Sequence, residues 1–142
     1  MRKTRYTLTL RNELSELEKL NSFLGEIRQR FPISKKCLFE TNLALEELFS
    51  NVLSYAFNNH TEHLIKITIT VSRRDLDIRF EDDGRPFNPL EARAPALRYE
   101  IERCPIGGLG IHLIKAFMDD IRYGRHRNRN VLTMKKEHCF EG

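Results

Sequence analysis

The chain begins with strict alternation. In "RYTLTLRN" apolar and polar positions trade places residue by residue, the period of a half-buried strand, predicted over about Arg5 to Arg11. The period then changes. In "ELSELEKLNSFLGEIRQRF" the residues Leu14, Leu17, Leu20, Phe23, Leu24, Ile27 and Phe31 fall at helical spacing, and Pro32 closes the segment. Ser34 is placed to cap a second helix, with Leu38, Leu45, Leu48, Phe49, Val52, Leu53 and Ala56 along one side and an end near Phe57. After "NNHTEH", two alternating runs, Leu64 to Val71 and Asp75 to Glu81, meet at "SRRD" and predict an antiparallel hairpin. From Arg85 to about Ile106 the pattern dissolves among Pro86, Pro89, Pro95 and Pro105, with at most a short helical piece around Ala96 to Glu102. A connection of about 20 residues in a compact domain has the length of a lid or binding loop. "GGLGIHLIKAFMDD" opens a third helix at a glycine cluster, with Leu109, Leu113, Ile114, Phe117 and Met118 on its apolar face. "DIRYGRHR" and "NVLTMKKE" supply two last strands around an Arg/Asn-rich turn. The order β-α-α-β-β-lid-α-β-β predicts an α+β two-layer sandwich, three main helices packed on one face of a mostly antiparallel mixed sheet.

Composition changes this picture little. At 142 residues and 40% hydrophobic content the chain is expected to form one domain, residues 1–142, with a core that needs no staples. No segment approaches the roughly 20 apolar residues of a membrane span, and the first residues lack the apolar core of a signal peptide, so a cytoplasmic protein without membrane contact is expected. Cys37, Cys104 and Cys139 are odd in number, far apart and never in C-x-x-C spacing. That argues against a disulfide framework and a zinc site, and predicts plain thiols. A net charge of +4 suits an anionic ligand such as a nucleotide, but 20 acidic residues are spread among 24 basic ones and the charge alone selects no function.

Three stretches carry candidate chemistry. In "LALEELFSNVLSYAF" Glu47 and Asn51 stand at i and i+4, about 40° apart around the helix and one turn apart along it. The Asn oxygen could ligate Mg²⁺ and the carboxylate could deprotonate a nucleophile beside it, although a solvated helix face accounts for the same spacing. In "RFEDDGRPFNP" Asp82 could accept a hydrogen bond from an exocyclic amine such as adenine N6, with Gly84 letting the backbone approach the ring; taken alone, D-x-G is common and an ordinary turn of favoured turn residues is the simpler reading. In "PIGGLGIHLIKAF" the glycines stand at a helix start, where free N–H groups and the helix dipole attract phosphate, or where a hinge would sit. It is neither a G-x-G-x-x-G after a strand nor a Walker A motif. His60, His63 and His112 lack a ligand set and read as solvated side chains. The basic "RYGRHRNR" reads as a plain turn rather than a nucleic-acid contact.

Taken together and in order, the E-x-x-x-N helix, the D-x-G-x-P turn, the long loop and the G-G-L-G helix start resemble the nucleotide-binding boxes of the GHKL ATPase superfamily, whose fold is the Bergerat sandwich. Within it the small size and "EDDGRPFNP…PIGGLGIHLIKAFMDDIRYGRHRNRNVLTMKK" look like the anti-sigma-factor serine/threonine kinases of the RsbW and SpoIIAB type. The resemblance implies ATP and Mg²⁺ as cofactors. It gives Glu47 the place of the general base, Asn51 that of the Mg²⁺ ligand, and Asp82 and Gly84 those of the adenine-reading acid and its glycine. Gly108 and Gly110, with Gly107 adjoining, match the phosphate-facing glycines, Thr133 falls where a hydroxyl often lies near the adenine, and residues 85–106 become the ATP lid. It further implies phosphoryl transfer to a serine or threonine of an anti-anti-sigma protein of the STAS fold, which competes with a sigma factor for the kinase, and a homodimer built away from the nucleotide.

Two positions depart from the pattern: Pro86 stands at the second glycine of the acid–glycine box, and Tyr55 stands where many relatives carry His. The chain also lacks a phospho-accepting histidine helix pair, a sensor and a membrane span, so a complete histidine kinase is not expected. The alternative is a catalytically silent ATP-binding module that sequesters a partner; a direct nucleic-acid binder is the third reading.

Overall fold

Strand β1 spans Thr4–Arg11, and a 3-10 turn at Leu14–Glu16 leads into helix α1, Leu17–Arg30. Helix α2 is Lys35–Tyr55, followed by the hairpin of β2, Leu64–Ser72, and β3, Asp75–Asp82. A 3-10 turn at Pro89–Glu91 precedes helix α3, Gly110–Phe117, and β4, Asp120–His126, and β5, Arg129–Lys136, follow. This computed structural model describes residues 3–57, 61–91 and 110–141, with side chains omitted at 110–112.

The strands form one sheet in the order β1-β2-β3-β5-β4, and all four ladders are antiparallel. Alternation decides which face is buried. Leu10, Ile65, Ile67, Ile69, Val71, Leu76, Ile78, Phe80, Leu132 and Met134 are all buried against the helices, while the intervening row Thr7–Thr68–Arg79–Thr133–Arg122 lies on the other face. Helix α1 contributes Leu20, Phe23, Leu24 and Ile27 to the core, and α2 contributes Ala44, Leu45, Leu48, Phe49 and Val52. The α2 start follows the expected chemistry: the Ser34 hydroxyl accepts the Cys37 N–H at 3.1 Å. The β4–β5 turn is closed by Arg127 and Asn128, both at positive φ, the geometry of a two-residue hairpin loop.

Three expectations fail here. Leu14 is 47% exposed, because the regular helix starts only at Leu17 and the 3-10 turn rotates Leu14 off the apolar stripe. Leu113 is also exposed on α3. The thiols Cys37 and Cys139 are joined as a disulfide, with Cα atoms 5.3 Å apart. The chain after β5 lies along the start of α2, where Ser34 N donates to Cys139 O at 2.7 Å, Glu141 N to Pro32 O at 2.8 Å, and Ile33 bridges Phe140. That docking brings together two cysteines 102 residues apart, a pairing that no sequence spacing announces. The helical piece expected at 96–102 lies outside the described residues.

Candidate functional site

Helix α2 turns one side to the core and leaves Glu47 and Asn51 at its rim, one turn apart. Asn51 is only 4% exposed, yet its carboxamide makes no hydrogen bond to any described residue. Its polar atoms are not sealed off, unlike Asn42 Oδ1, so the carboxamide keeps an opening through which water or a ligand can reach it. Glu47 is half-buried and has no cationic partner among the described residues. Burial, and then the neighbouring charge of Glu46, push its carboxyl above the ordinary value, the direction that makes a carboxylate a better proton acceptor near neutral pH.

The last residue of β3 faces the same way as Leu76, Ile78 and Phe80, which sends Asp82 into the helix side of the sheet at 2% exposure. Its Oδ1 accepts Gly84 N–H and Asn130 Nδ2, both at 2.9 Å. Burial pushes the Asp82 carboxyl up, the charge of Asp83 adds to this, and the two hydrogen bonds and Arg125 oppose it. The turn that follows is seated on the end of α2. Arg85 donates its backbone N–H to Ala56 O at 2.8 Å and its Nε to Tyr55 O at 2.6 Å. A Cβ on Gly84 would lie 2.6 Å from Ala56 O, so only glycine fits this approach. The acid–glycine turn is thereby held just over one helical turn past Asn51.

The first residues of the long connection are anchored too. Phe87 stacks on Tyr55 at 5.4 Å between centroids, which gives Tyr55 a packing role. Leu90 O accepts Lys115 Nζ from α3 at 3.1 Å. The far end of α3 is fixed by Lys136, whose Nζ donates to Phe117 O at 2.6 Å and pairs with Glu40 of α2 at 3.1 Å. Helix α3 is described from Gly110 onward; Gly107 and Gly108 lie outside the described residues.

One sequence-derived assignment is corrected and one residue was missed. Thr133 is exposed on the opposite face of the sheet, in a depression of about 620 Å³ that it shares with Arg5, Lys66, Asp77, Arg79 and Arg122. It pairs with Arg79, one face away from the Asp82 side chain. The parity of "NVLTMKK" already holds the reason, since Leu132 and Met134 point inward. Asn130 shares their parity, stands in register with Asp82 and bonds to it, and the basic surroundings of its hairpin masked that signal. His63, expected to be solvated, stacks on Phe57 at 4.5 Å and shares a hydrogen bond with Asp83 at 3.0 Å, bracing the loop before β2. The side chains of His60 and His112 are not among those described.

Among the described residues no three of His, Cys, Asp and Glu cluster to hold a metal. The unpartnered Asn51 carboxamide fits a magnesium ion that takes its other ligands from phosphate and water, the usual habit of that cation. Asp82 fits an amine-bearing base, because only one of its oxygens is occupied.

Comparison with known proteins places the chain in a family. The histidine kinase-like ATPase domain family matches residues 10–136. The chain is 29% identical over 112 residues to the serine/threonine-protein kinase BtrW of Bordetella bronchiseptica, covering 79% of each protein. It is 29% identical over 117 residues to the serine-protein kinase RsbW of Listeria monocytogenes, covering 79% of this chain and 74% of that one. Among solved structures, the RsbU and RsbW domains of a Mycobacterium tuberculosis protein superpose with a TM-score of 0.64 at 10% identity, over 98% of this chain and 35% of that one. The last likeness concerns the fold alone.

Proposed function

Because the chain belongs to the family of histidine kinase-like ATPase domains, we propose that it binds ATP and transfers its terminal phosphoryl group to a serine or threonine of a partner protein. The observation that carries this reading is the pair on α2: a buried Asn51 with no hydrogen-bond partner among the described residues, one turn from a Glu47 with no counter-ion there. The names of the kinase relatives from Bordetella and Listeria support the same activity.

In this reading Asp82 accepts a hydrogen bond from the exocyclic amine of adenine, and Gly84 lets the base lie against the turn. Asn51 holds Mg²⁺, which when bound neutralises charge on the phosphates. Glu47 accepts the proton of the attacking hydroxyl, and its half-burial suits that role. By the resemblance, Gly107, Gly108 and Gly110 are the phosphate-facing glycines and residues 85–106 are the ATP lid. Positioning supplies most of the catalysis in phosphoryl transfer. The regulatory role follows from the resemblance: an anti-sigma factor whose substrate is a STAS-domain anti-anti-sigma protein and whose competing partner is a sigma factor, working in the cytoplasm as a homodimer.

Glu47→Gln tests this directly. Nucleotide affinity is expected to stay within about twofold, while phosphoserine on a bound partner falls by about 100-fold or more. Wild-type protein that binds ATP and a partner but never phosphorylates it would instead establish the silent, sequestering module.

A further inference from the structure

Asn130 is 4% exposed and makes five hydrogen bonds from one carboxamide. Its Nδ2 donates to Asp82 Oδ1 and to Arg85 O, each at 2.9 Å. Its Oδ1 accepts Phe87 N–H at 3.1 Å, Tyr123 OH at 2.5 Å and Arg125 Nη1 at 3.2 Å. The amide orientation is settled by this company, because the flipped group would set oxygen against two oxygens and nitrogen against three donors. The same Arg125 nitrogen also donates to Gly84 O at 2.7 Å. The basic β4–β5 hairpin is therefore a brace on the whole turn from Asp82 to Phe87.

The chemical consequence concerns Asp82. Both of its donors, Gly84 N–H and Asn130 Nδ2, go to Oδ1, and Oδ2 receives none among the described residues. We propose that Asn130 is a positioning residue for base selection: by occupying Oδ1 it leaves Oδ2 as a pure acceptor, which favours a purine with a 6-amino group over one with a 6-oxo group. An amine donates to such an oxygen; a carbonyl oxygen set against it is repelled and leaves a buried acceptor unsatisfied. Without Asn130 the carboxylate keeps only the Gly84 N–H on Oδ1 and is held less firmly. Burial raises the Asp82 carboxyl above its ordinary value and the Asn130 hydrogen bond opposes this, so losing Asn130 moves the group toward the protonated form, which can donate to a 6-oxo group. Asp83 and Arg125 are the charged groups acting on that carboxyl. The inference rests on Asp82 being the base-reading acid.

The test compares ATP with inosine triphosphate, which carries the 6-oxo group, by titration calorimetry on wild type and Asn130→Ala. The expected result is about a tenfold loss of ATP affinity with inosine triphosphate affinity unchanged or improved, so that selectivity collapses. The pH at which ATP binding weakens on acidification moves upward in the variant. If Asn130→Ala does not fold, Tyr123→Phe removes one donor to Asn130 without touching Asp82, and about a threefold fall in the same ratio is expected. A wild type that prefers ATP, with variants that weaken both nucleotides equally, overturns the selection role and leaves the site reading intact. A wild type that binds neither nucleotide overturns both.

Discussion

Glu16 is a carboxylate with 3% of its surface exposed, held by Lys19 Nζ at 2.8 Å, by Arg11 N–H at 2.9 Å and by Arg11 Nε at 3.3 Å. The Lys19 and Arg11 hydrogen bonds lower its pKa from 4.5 to about 2. A carboxyl depressed in the folded state adds stability above its unfolded pKa and loses it as pH falls through the folded one. Glu16→Gln is therefore expected to lower the melting temperature at pH 7, with the gap to wild type closing between about pH 4.5 and pH 2. A gap that persists unchanged at pH 2 in thermal melts would assign the loss to packing. None of this was legible beforehand. Glu16 reads as one surface acid among many until the strand end of Arg11 folds back over it. Glu47 and Asn51 were legible by spacing, but only burial separates them from ordinary surface polars.

At the scale of elements, the placement of the acid–glycine turn depends on the seat offered by the end of α2. Gly84→Ala would set a methyl 2.6 Å from Ala56 O, a backbone atom that cannot rotate away. The expected outcome is a loss of about 1–3 kcal/mol in urea denaturation, with nucleotide affinity reduced more than tenfold as the turn lifts from the helix. A variant that binds nucleotide normally would show that the close approach plays no part in the site. The elements themselves followed the hydrophobic period closely, since strands and helices leave different local repeats. Their ends did not. Leu14 falls outside the regular helix because the approach to α1 is wound as a 3-10 turn, and no apolar repeat encodes that change.

Over the whole molecule, the segment after β5 closes the structure by returning to the start of α2. The Cys37–Cys139 disulfide joins positions 102 residues apart, and the chain-entropy account gives a loop of that length up to about 4.7 kcal/mol. Reductant is expected to lower the denaturation midpoint of wild type and to leave Cys139→Ser, already lowered, unmoved. A wild-type midpoint indifferent to reductant would mean that the bond contributes nothing to stability. The open face of the sheet, with its Thr and charged rows, is solvated as expected of an antiparallel sheet covered on one side. Among the described residues no helix is long and apolar enough to cross a membrane.

By itself the sequence determined what depends on near neighbours: the order of strands and helices, the capping of α2 by Ser34, and the one-turn spacing of Glu47 and Asn51. Those follow from periodicity and backbone chemistry acting over a few residues. Tertiary structure decided which distant groups meet. It put Asn130 on Asp82 and sent Thr133 to the far face, because β3 and β5 pair in a register set by packing the whole sheet against α1 and α2. It also joined Cys37 to Cys139, a pairing that exists only once the chain end has docked.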